Sequence, residues 1–393
     1  MLSPVMALGG LKMEVMEEPN QEALQLGREF GNRGQCNPTY FTVGNLLKKL
    51  IQLRDVDGIP TEKIISNYAF VTAGGCGPCR MGMYATEYRK ALRDSGFADF
   101  RVMLLTRSGD VQDVLMEGLK LSNKHLLMGF LTIMIGDVFT TMSLRKRPYE
   151  AFKGHVDEEM KKARIEVEAG IREGKNWKGL WNARKIIRGI KTKKAGPKPV
   201  VHIMGEFWAK TTDGEGNYHL FRFIEEEGGV VSNETIIDWL LHQIWRARWS
   251  ESQKHESKFM SKAEWKLFAV EQVIRGVFGF FCKFYGVKIP LSDHDALAED
   301  VKPFFDLHVD GGEDHMEVAH HLAIARDGKA DMIVSVKPFT CLSSSGVSDG
   351  VQGKVSELYP DVEFIAVETN GDGAANFYSR IQMALQKVVH SVQ

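Results

Sequence analysis

Apolar and polar positions follow two different periods along the chain, and the change of period marks the predicted elements. Apolar residues recur at helical spacing over 41–53, whereas 68–72 (YAFVT) and 101–105 (RVMLL) are short apolar runs of strand length. Residues 80–95 return to the helical period and are closed by Gly96. Strands that alternate with helices predict a parallel, doubly wound α/β sheet in this first region.

A second α/β pattern begins at Pro199. Residues 199–207 (PVVHIMGEF) have the composition of a strand, and two more strands are predicted at 330–336 (ADMIVSV) and 362–367 (VEFIAV). The residues between the two α/β regions are predicted to be mostly helical and are richly charged. They end in AGPK, which is typical of a linker. The predicted domains are therefore an α/β lobe at 1–110, a helical region with a basic linker at 111–198, and a second α/β lobe at 199–393.

Two long apolar segments need a separate interpretation. Residues 126–142 contain Asp137 and fall short of the roughly 20 clean apolar residues of a membrane span, so they predict a buried helix. Residues 235–284 are helical and rich in tryptophan, and an aromatic stripe at helical spacing is typical of a core.

The N-terminus has no basic segment and no long apolar run, so no signal peptide is predicted and a reducing cytoplasm is expected.

The charge balance excludes some partners. Lys and Arg number 50 against 51 Asp and Glu, which gives a formal net charge of −1. This balance provides no global attraction to nucleic acid or to an anionic membrane, and neither partner is expected. The segment 175–198 is locally basic, which is typical of a solvated helix face with a linker or of a docking surface for an acidic partner.

The candidate chemistry lies in the cysteines. In the expected reducing compartment, five cysteines in 393 residues are not expected to form a disulfide framework. Cys36 precedes a predicted helix, Cys76 and Cys79 lie between a strand and a helix in GGCGPC, and Cys341 follows a strand. Loops at the carboxyl ends of parallel strands converge on one crevice, and helix N-termini favour the thiolate. A metal or iron–sulfur site, a redox dithiol at Cys76 and Cys79, and purely structural cysteines all remain open.

Other residues carry weaker signals. Cys282 lies in an aromatic helix and is interpreted as a buried structural thiol. Glu206 directly follows a predicted strand and is the one carboxylate that we single out for proton transfer. The turn 371–373 (GDG) before the last helix would suit either an anion site or a simple helix-capping turn. The chain has no GxxxxGK[ST] phosphate loop, so ATP hydrolysis by that route is not expected.

Five sequence blocks carry a family resemblance. They are CNPTYFTVGNLL from Cys36, GGCGPCRMGMYATEYRKAL from Gly74, GEFWAKTTDGEGNYHLFRF from Gly205, VSVKPFTCLSSSGVSDGVQGKV from Val334 and ETNGDGAANFYSRIQ from Glu368. Through these blocks the chain resembles the 2-hydroxyacyl-CoA dehydratase superfamily, and most of all its dehydratase-like, CoA-enzyme-activase-related branch. The resemblance implies two Rossmann-like lobes and a 4Fe–4S cluster held by three cysteines. These cysteines correspond to Cys36, Cys79 and Cys341, with Cys76 as a fourth ligand or a neighbouring thiol.

The resemblance also implies a function. Relatives receive one low-potential electron from a separate ATP-hydrolysing activator, and dehydratase members use it to form a ketyl radical on a CoA thioester. We therefore expect an iron–sulfur subunit of an ATP-dependent reductase or dehydratase-like system, forming a homo- or heterodimer with a related subunit. The alternative is a non-catalytic electron-relay or docking subunit. Ser344, with its neighbours Ser343 and Ser345, is expected to hydrogen-bond cluster or substrate, and Arg80 to offset the cluster's negative charge.

Overall fold

The chain divides into two compact units, each built from separate segments. The computed structural model describes residues 1–8, 10, 12–74, 79–105, 123–254, 259–309, 312–313, 315–345 and 349–392. The first unit comprises Met1–Glu14, Lys120–Lys198 and Val230–Asp300, and the second comprises Val15–Leu119, Pro199–Gly229 and Val301–Gln393. These units do not coincide with the continuous segments predicted from the sequence, because the predicted helical region shares one core with helices that follow residue 230.

The first unit is helical. Its core contains Val138, Val156, Ile187, Leu241 and Phe278, all of which are almost fully buried. Its helices are Leu2–Leu8, Asn123–Lys146, His155–Arg172, Asn176–Gly189, Ile236–Ser252, Lys262–Tyr285 and His294–Val301, with a 3-10 turn at Arg147–Tyr149 and the strand β4 at Val230–Asn233.

The tryptophan-rich segment forms two helices instead of one. Ser261 and Glu264 form a capping box that starts the helix Lys262–Tyr285, and Gly286 ends it with a left-handed φ of 79°. Trp245 is 1% exposed, as predicted for a core residue, but Trp265 is 57% exposed. The prediction of a buried aromatic stripe is therefore wrong for Trp265.

The helix Asn123–Lys146 tests the interpretation of the most apolar segment. Together with the turn after it, this stretch is the one among the described residues that is long and apolar enough to cross a membrane. Core helices of soluble proteins meet the same test. Asp137 lies in its middle, buried, and accepts a hydrogen bond from the backbone N–H of Ile237. Val138 and Phe139 beside it belong to the core of the first unit, so this part of the helix packs in that core.

The second unit contains a small parallel sheet of β1 (Ala69–Ala73) and β2 (Arg101–Leu105), with Ala69 opposite Arg101. Tyr88 and Leu92 belong to the core that accompanies this part of the unit. The associated helices are Gln21–Phe30, Asn37–Ile51 (continued by a π turn, Gln52–Val56), Thr61–Asn67 and Tyr84–Asp94, the last preceded by a 3-10 turn at Arg80–Met83.

A second parallel sheet in this unit has β5 (Met332–Pro338) between β3 (Val200–Gly205) and β6 (Glu363–Thr369). All seven residues of β5 are buried, as expected of a central parallel strand covered on both faces. The helices that follow these strands or lie between them are Phe207–Thr211, Leu220–Glu226, Met316–Arg326, Asp349–Leu358 and Ala374–Val392, with a 3-10 turn at Glu215–Asn217. The protein is thus a mixed α/β structure with two small parallel sheets, which confirms the predicted α/β class but not the doubly wound topology of its lobes.

Candidate functional site

Three cysteine-bearing loops belong to the second unit. Cys36 is the residue before the helix Asn37–Ile51, where Pro38 occupies the first turn. Cys79 stands directly before the 3-10 turn Arg80–Met83. Cys341 follows β5 after a short turn. Each thiol therefore lies at a loop boundary, as predicted, whereas Cys76 lies outside the described residues.

Hydrogen bonds through Thr340 bring these loops together. The Thr340 hydroxyl donates to the backbone carbonyl of Gln35 at 3.1 Å, which joins the loops of Cys341 and Cys36. The Arg80 Nε donates to the carbonyl of Thr340 at 3.2 Å, which joins the loop of Cys79 to the same point. Thr340 adopts a left-handed φ of 63°, an uncommon conformation for a β-branched residue. These two hydrogen bonds link the three loops at residues next to Cys36, Cys79 and Cys341.

Cys36 lies in a buried polar niche. The residue is 6% exposed, and its Sγ lies 3.2 Å from the Thr39 hydroxyl and 3.2 Å from the Tyr84 hydroxyl. Burial raises the pKa of Tyr84 well above its usual range, and the negative charges of Cys36 and Glu206 add to this effect. Tyr84 therefore remains a hydrogen-bond donor that can face a sulfur atom at any physiological pH.

Cys341 leads into a buried hydrogen-bonded chain. Its Sγ donates to the Ser344 hydroxyl at 3.5 Å, and Ser344 donates to Glu317 Oε1 at 2.5 Å. Burial raises the pKa of the Cys341 thiol to about 12; hydrogen bonding with Ser344 opposes this rise, and the charges of Glu206 and Glu317 add to it. Ser344 thus contacts the cysteine, whereas its neighbour Ser345 is exposed.

Cys79 shares the same electrostatic environment. Burial raises the pKa of its thiol to about 11, a backbone hydrogen bond from Met81 opposes the rise, and the charges of Glu206, Cys36 and Glu313 add to it. Both Cys79 and Cys341 are therefore protonated at neutral pH in the metal-free protein. A bound cation reverses this balance, because it stabilises the thiolate directly.

Glu206 is placed by a tight approach of two strands. Gly205 ends β3 with a left-handed φ of 112°, and a Cβ at that position would overlap the carbonyl oxygen of Val336. The Glu206 side chain accepts a hydrogen bond from the Ala209 N–H at 3.0 Å. Burial raises the pKa of Glu206 to about 7; this N–H and the charge of Lys210 oppose the rise. A carboxyl group with such a pKa can both give and take a proton near neutral pH.

An ion pair next to Glu206 was not predicted from the sequence. Lys210 Nζ lies 2.7 Å from Glu313 Oε2, and both side chains are almost fully buried. Lys210 stands one helical turn after Glu206, a local signal that could have identified it. Glu313 and Glu317 precede or begin a helix far along the chain, and nothing in their local pattern relates them to the cysteines.

The donor types suit a soft metal centre. Thiolates are the usual ligands of iron–sulfur clusters, and three thiols on loops that meet at Thr340 supply them. Within the described part of the chain, no three His, Cys, Asp or Glu side chains form a group that could hold a metal ion. The thiols therefore suit a cluster in their chemistry, and hydrogen bonds link the loops that carry them, but the described side chains do not form a ready ligand group.

Two other predicted positions behave differently. At the GDG turn, the N–H groups of Asp372 and Gly373 both donate to the Asn370 side chain, at 3.0 Å and 2.6 Å. These donors are used internally, which favours the turn over an anion site.

Cys282 is 6% exposed and packs in the core of the first unit, consistent with a structural thiol.

Sequence comparison adds no identification. No family model matches the chain, and no curated protein is significantly similar to it. The function is therefore argued from the residues of the site.

Proposed function

We propose that the second unit holds a 4Fe–4S cluster through Cys36, Cys79 and Cys341. The observation that carries this proposal is the pair of hydrogen bonds at Thr340, which link three loops that each bear a cysteine. The resemblance of the cysteine-containing blocks to the 2-hydroxyacyl-CoA dehydratase superfamily supports the same ligand set. Cys76 would be a fourth ligand or a neighbouring thiol.

We infer that the protein is a subunit of an ATP-dependent, low-potential reductase or 2-hydroxyacyl-CoA dehydratase-like system in the cytoplasm. Its partners would be a separate ATP-hydrolysing activator and a related subunit in a homo- or heterodimer. In this proposal the two small sheets are the centres of two Rossmann-like lobes. The cluster, when bound, supplies the storage and transfer of single electrons.

The remaining residues of the site would control charge and protons. Glu206, Glu313 and Glu317 place negative charge around the thiols. Negative charge near a cluster disfavours its reduction and so lowers its reduction potential, as a low-potential centre requires. Glu206, with a pKa of about 7, is suited to move a proton to or from a substrate, and Ser344 to hold the Cys341 sulfur in place.

A second candidate function is electron relay to a partner without catalysis in this chain. Large apolar side chains next to the cysteines are exposed to solvent: Met83 by 55%, Phe339 by 54% and Leu342 by 52%. Phe339 and Leu342 lie within two residues of Cys341. Exposed apolar side chains around a redox site are typical of surfaces that dock an electron donor or acceptor.

The test is iron and acid-labile sulfide per chain in anaerobically purified protein, with an EPR spectrum after reduction. About four of each per chain support one cubane. Cys79→Ser and Cys341→Ser should lose iron and visible absorption, whereas the matched variant Cys282→Ser, in the first unit, should keep both. Folded protein without iron or sulfide would contradict the proposal and leave zinc or a dithiol. Turnover with only activator and ATP would separate catalysis from relay.

A further inference from the structure

The two units carry opposite net charges. The first unit has 29 Lys and Arg against 19 Asp and Glu, a net charge of +10. The second has 21 against 32, a net charge of −11. The whole-chain value of −1, which predicts no contact with anionic surfaces, conceals this separation. The first unit by itself has a global attraction to anions.

The positive charge is concentrated on and after one surface helix. Residues 175–198 contain nine Lys or Arg and no Asp or Glu. The helix Asn176–Gly189 buries Leu180, Ala183 and Ile187 against the unit. On its outer side Trp177 is 66% exposed and Trp181 is 48% exposed. The solvent-exposed side of this helix therefore combines indole rings with cationic side chains.

A second helix shows the same composition. Along Lys262–Tyr285 the exposed apolar side chains include Trp265, Val273 and Phe280, at 57%, 64% and 47%. Their spacing of eight and seven residues places them on one helix face. The two acidic residues of this helix, Glu264 and Glu271, are buried, and its exposed charged side chains are Lys262, Lys266 and Lys283.

Ring contacts hold the two helices together as one surface. Trp177 packs edge-on against Phe280 at 6.1 Å, and Trp181 lies 6.1 Å from Phe284. Arg184 donates to the Phe284 carbonyl at 2.6 Å, and its guanidinium lies 5.0 Å from the centre of a Trp181 ring. The basic aromatic surface, as we call it, consists of the exposed apolar side chains Trp177, Trp181, Trp265, Val273 and Phe280 with Lys178, Lys185, Lys262, Lys266 and Lys283.

We propose that the basic aromatic surface binds the surface of an anionic lipid bilayer. Tryptophan and phenylalanine side chains insert at the boundary between headgroups and acyl chains, and lysines attract anionic headgroups. The cations of this surface are mainly lysines, which protein–protein interfaces exclude from their centres. At a bilayer, by contrast, the lysine stem lies along apolar surface while the ammonium group stays in water. Charge and composition together favour lipid over an acidic protein.

The test uses the full chain and sedimentation with vesicles of phosphatidylcholine, alone or mixed with phosphatidylglycerol. We expect binding to the mixed vesicles only, weakened by salt, with a blue shift of tryptophan emission. Lys185→Gln together with Lys266→Gln should weaken binding by about 30-fold, the effect of losing two surface lysines. Trp177→Ser should reduce the blue shift, since Trp181 and Trp265 remain on the surface.

Matched controls lie elsewhere in the first unit. Phe152, which is 73% exposed, and Lys161, also exposed, do not belong to the basic aromatic surface. Phe152→Ser and Lys161→Gln should bind the mixed vesicles like the natural chain. Equal binding to both vesicle types, equal losses in controls and surface variants, or absence of binding would overturn the proposal. A dimer that dissociates in Trp177→Ser and does not sediment with vesicles would assign the surface to a second copy instead.

Discussion

The hydroxyl of Thr340 donates a hydrogen bond of 3.1 Å to the backbone carbonyl of Gln35, a residue 305 positions earlier in the chain. The bond links the residue before Cys341 to the residue before Cys36. Thr340 makes it with a left-handed φ of 63°, which costs a β-branched residue energy. The backbone strain at Thr340 is thus held where two proposed ligand loops meet.

Thr340→Val tests this link, because it keeps the branched shape and removes the hydroxyl. We expect a loss of about 1 kcal/mol in the free energy of unfolding, the net value of one hydrogen bond, measured by urea denaturation. Iron per chain should also fall, since the Cys36 and Cys341 loops lose a connection. Thr340→Ser keeps the donor and should behave like the natural chain. Unchanged iron and stability in Thr340→Val would show that the bond positions nothing.

Lys210→Met tests the buried ion pair with Glu313. The substitution leaves a carboxylate buried without its counter-ion, and we expect the free energy of unfolding to fall by about 3–5 kcal/mol. Adding Glu313→Leu to the same chain removes the buried charge, so the double variant should regain most of this loss. Urea unfolding of both variants measures the difference. A double variant less stable than Lys210→Met would mean that Glu313 stabilises the unit through other contacts.

Gly44→Ala tests the packing of the helices Gln21–Phe30 and Asn37–Ile51. A Cβ on Gly44 would overlap the carbonyl oxygen of Ala23, so the helices would have to separate. We expect the free energy of unfolding to fall by more than about 3 kcal/mol, and iron content to fall as the Cys36 loop moves. Gly353→Ala is the control, because a Cβ there meets nothing within 4 Å. In a helix interior that change should stabilise the protein by up to about 1 kcal/mol.

The sequence was sufficient for the features that local patterns encode. The run 101–105 forms the strand β2 because four consecutive apolar residues follow Arg101, and Cys36 and Cys79 precede helical turns because proline or glycine residues mark those boundaries. The pair of Lys210 and Glu313 could not be predicted, because 103 residues separate the two and neither has a distinctive neighbourhood. Their contact depends on the tertiary fold alone.

The net charge of the whole chain does not reveal how charge is distributed between the two units. A net charge of −1 describes neither unit, since the segments that share a unit are not contiguous in the sequence. Only the fold groups Lys178 and Lys185 with Lys262 and Lys266 on two neighbouring helices. The net charge of the whole chain is therefore not sufficient to exclude an anionic partner for the first unit.

Asp137 connects a sequence prediction to a measurable pH dependence. It is the carboxylate that interrupts the most apolar segment, and it is 7% exposed in the first unit. Burial raises its pKa to about 6, although the N–H of Ile237 donates to it at 2.8 Å. The folded protein therefore holds a proton between about pH 4 and pH 6 that the unfolded chain has already released. Stability consequently falls as pH rises through this window and changes no further above it.

Asp137→Asn should remove this slope. Relative to the natural chain, the variant should gain about 2–3 kcal/mol in the free energy of unfolding between pH 4 and pH 7, the value of a shift of about two pKa units in a buried group. The variant amide oxygen can still accept from Ile237, so the helix Ile236–Ser252 keeps its first hydrogen bond. Urea unfolding at several pH values measures the difference, with the exposed Asp99→Asn as control. A difference between Asp137→Asn and the natural chain that stays constant with pH would mean that Asp137 is ionised throughout, held by the helix N-terminus against its burial.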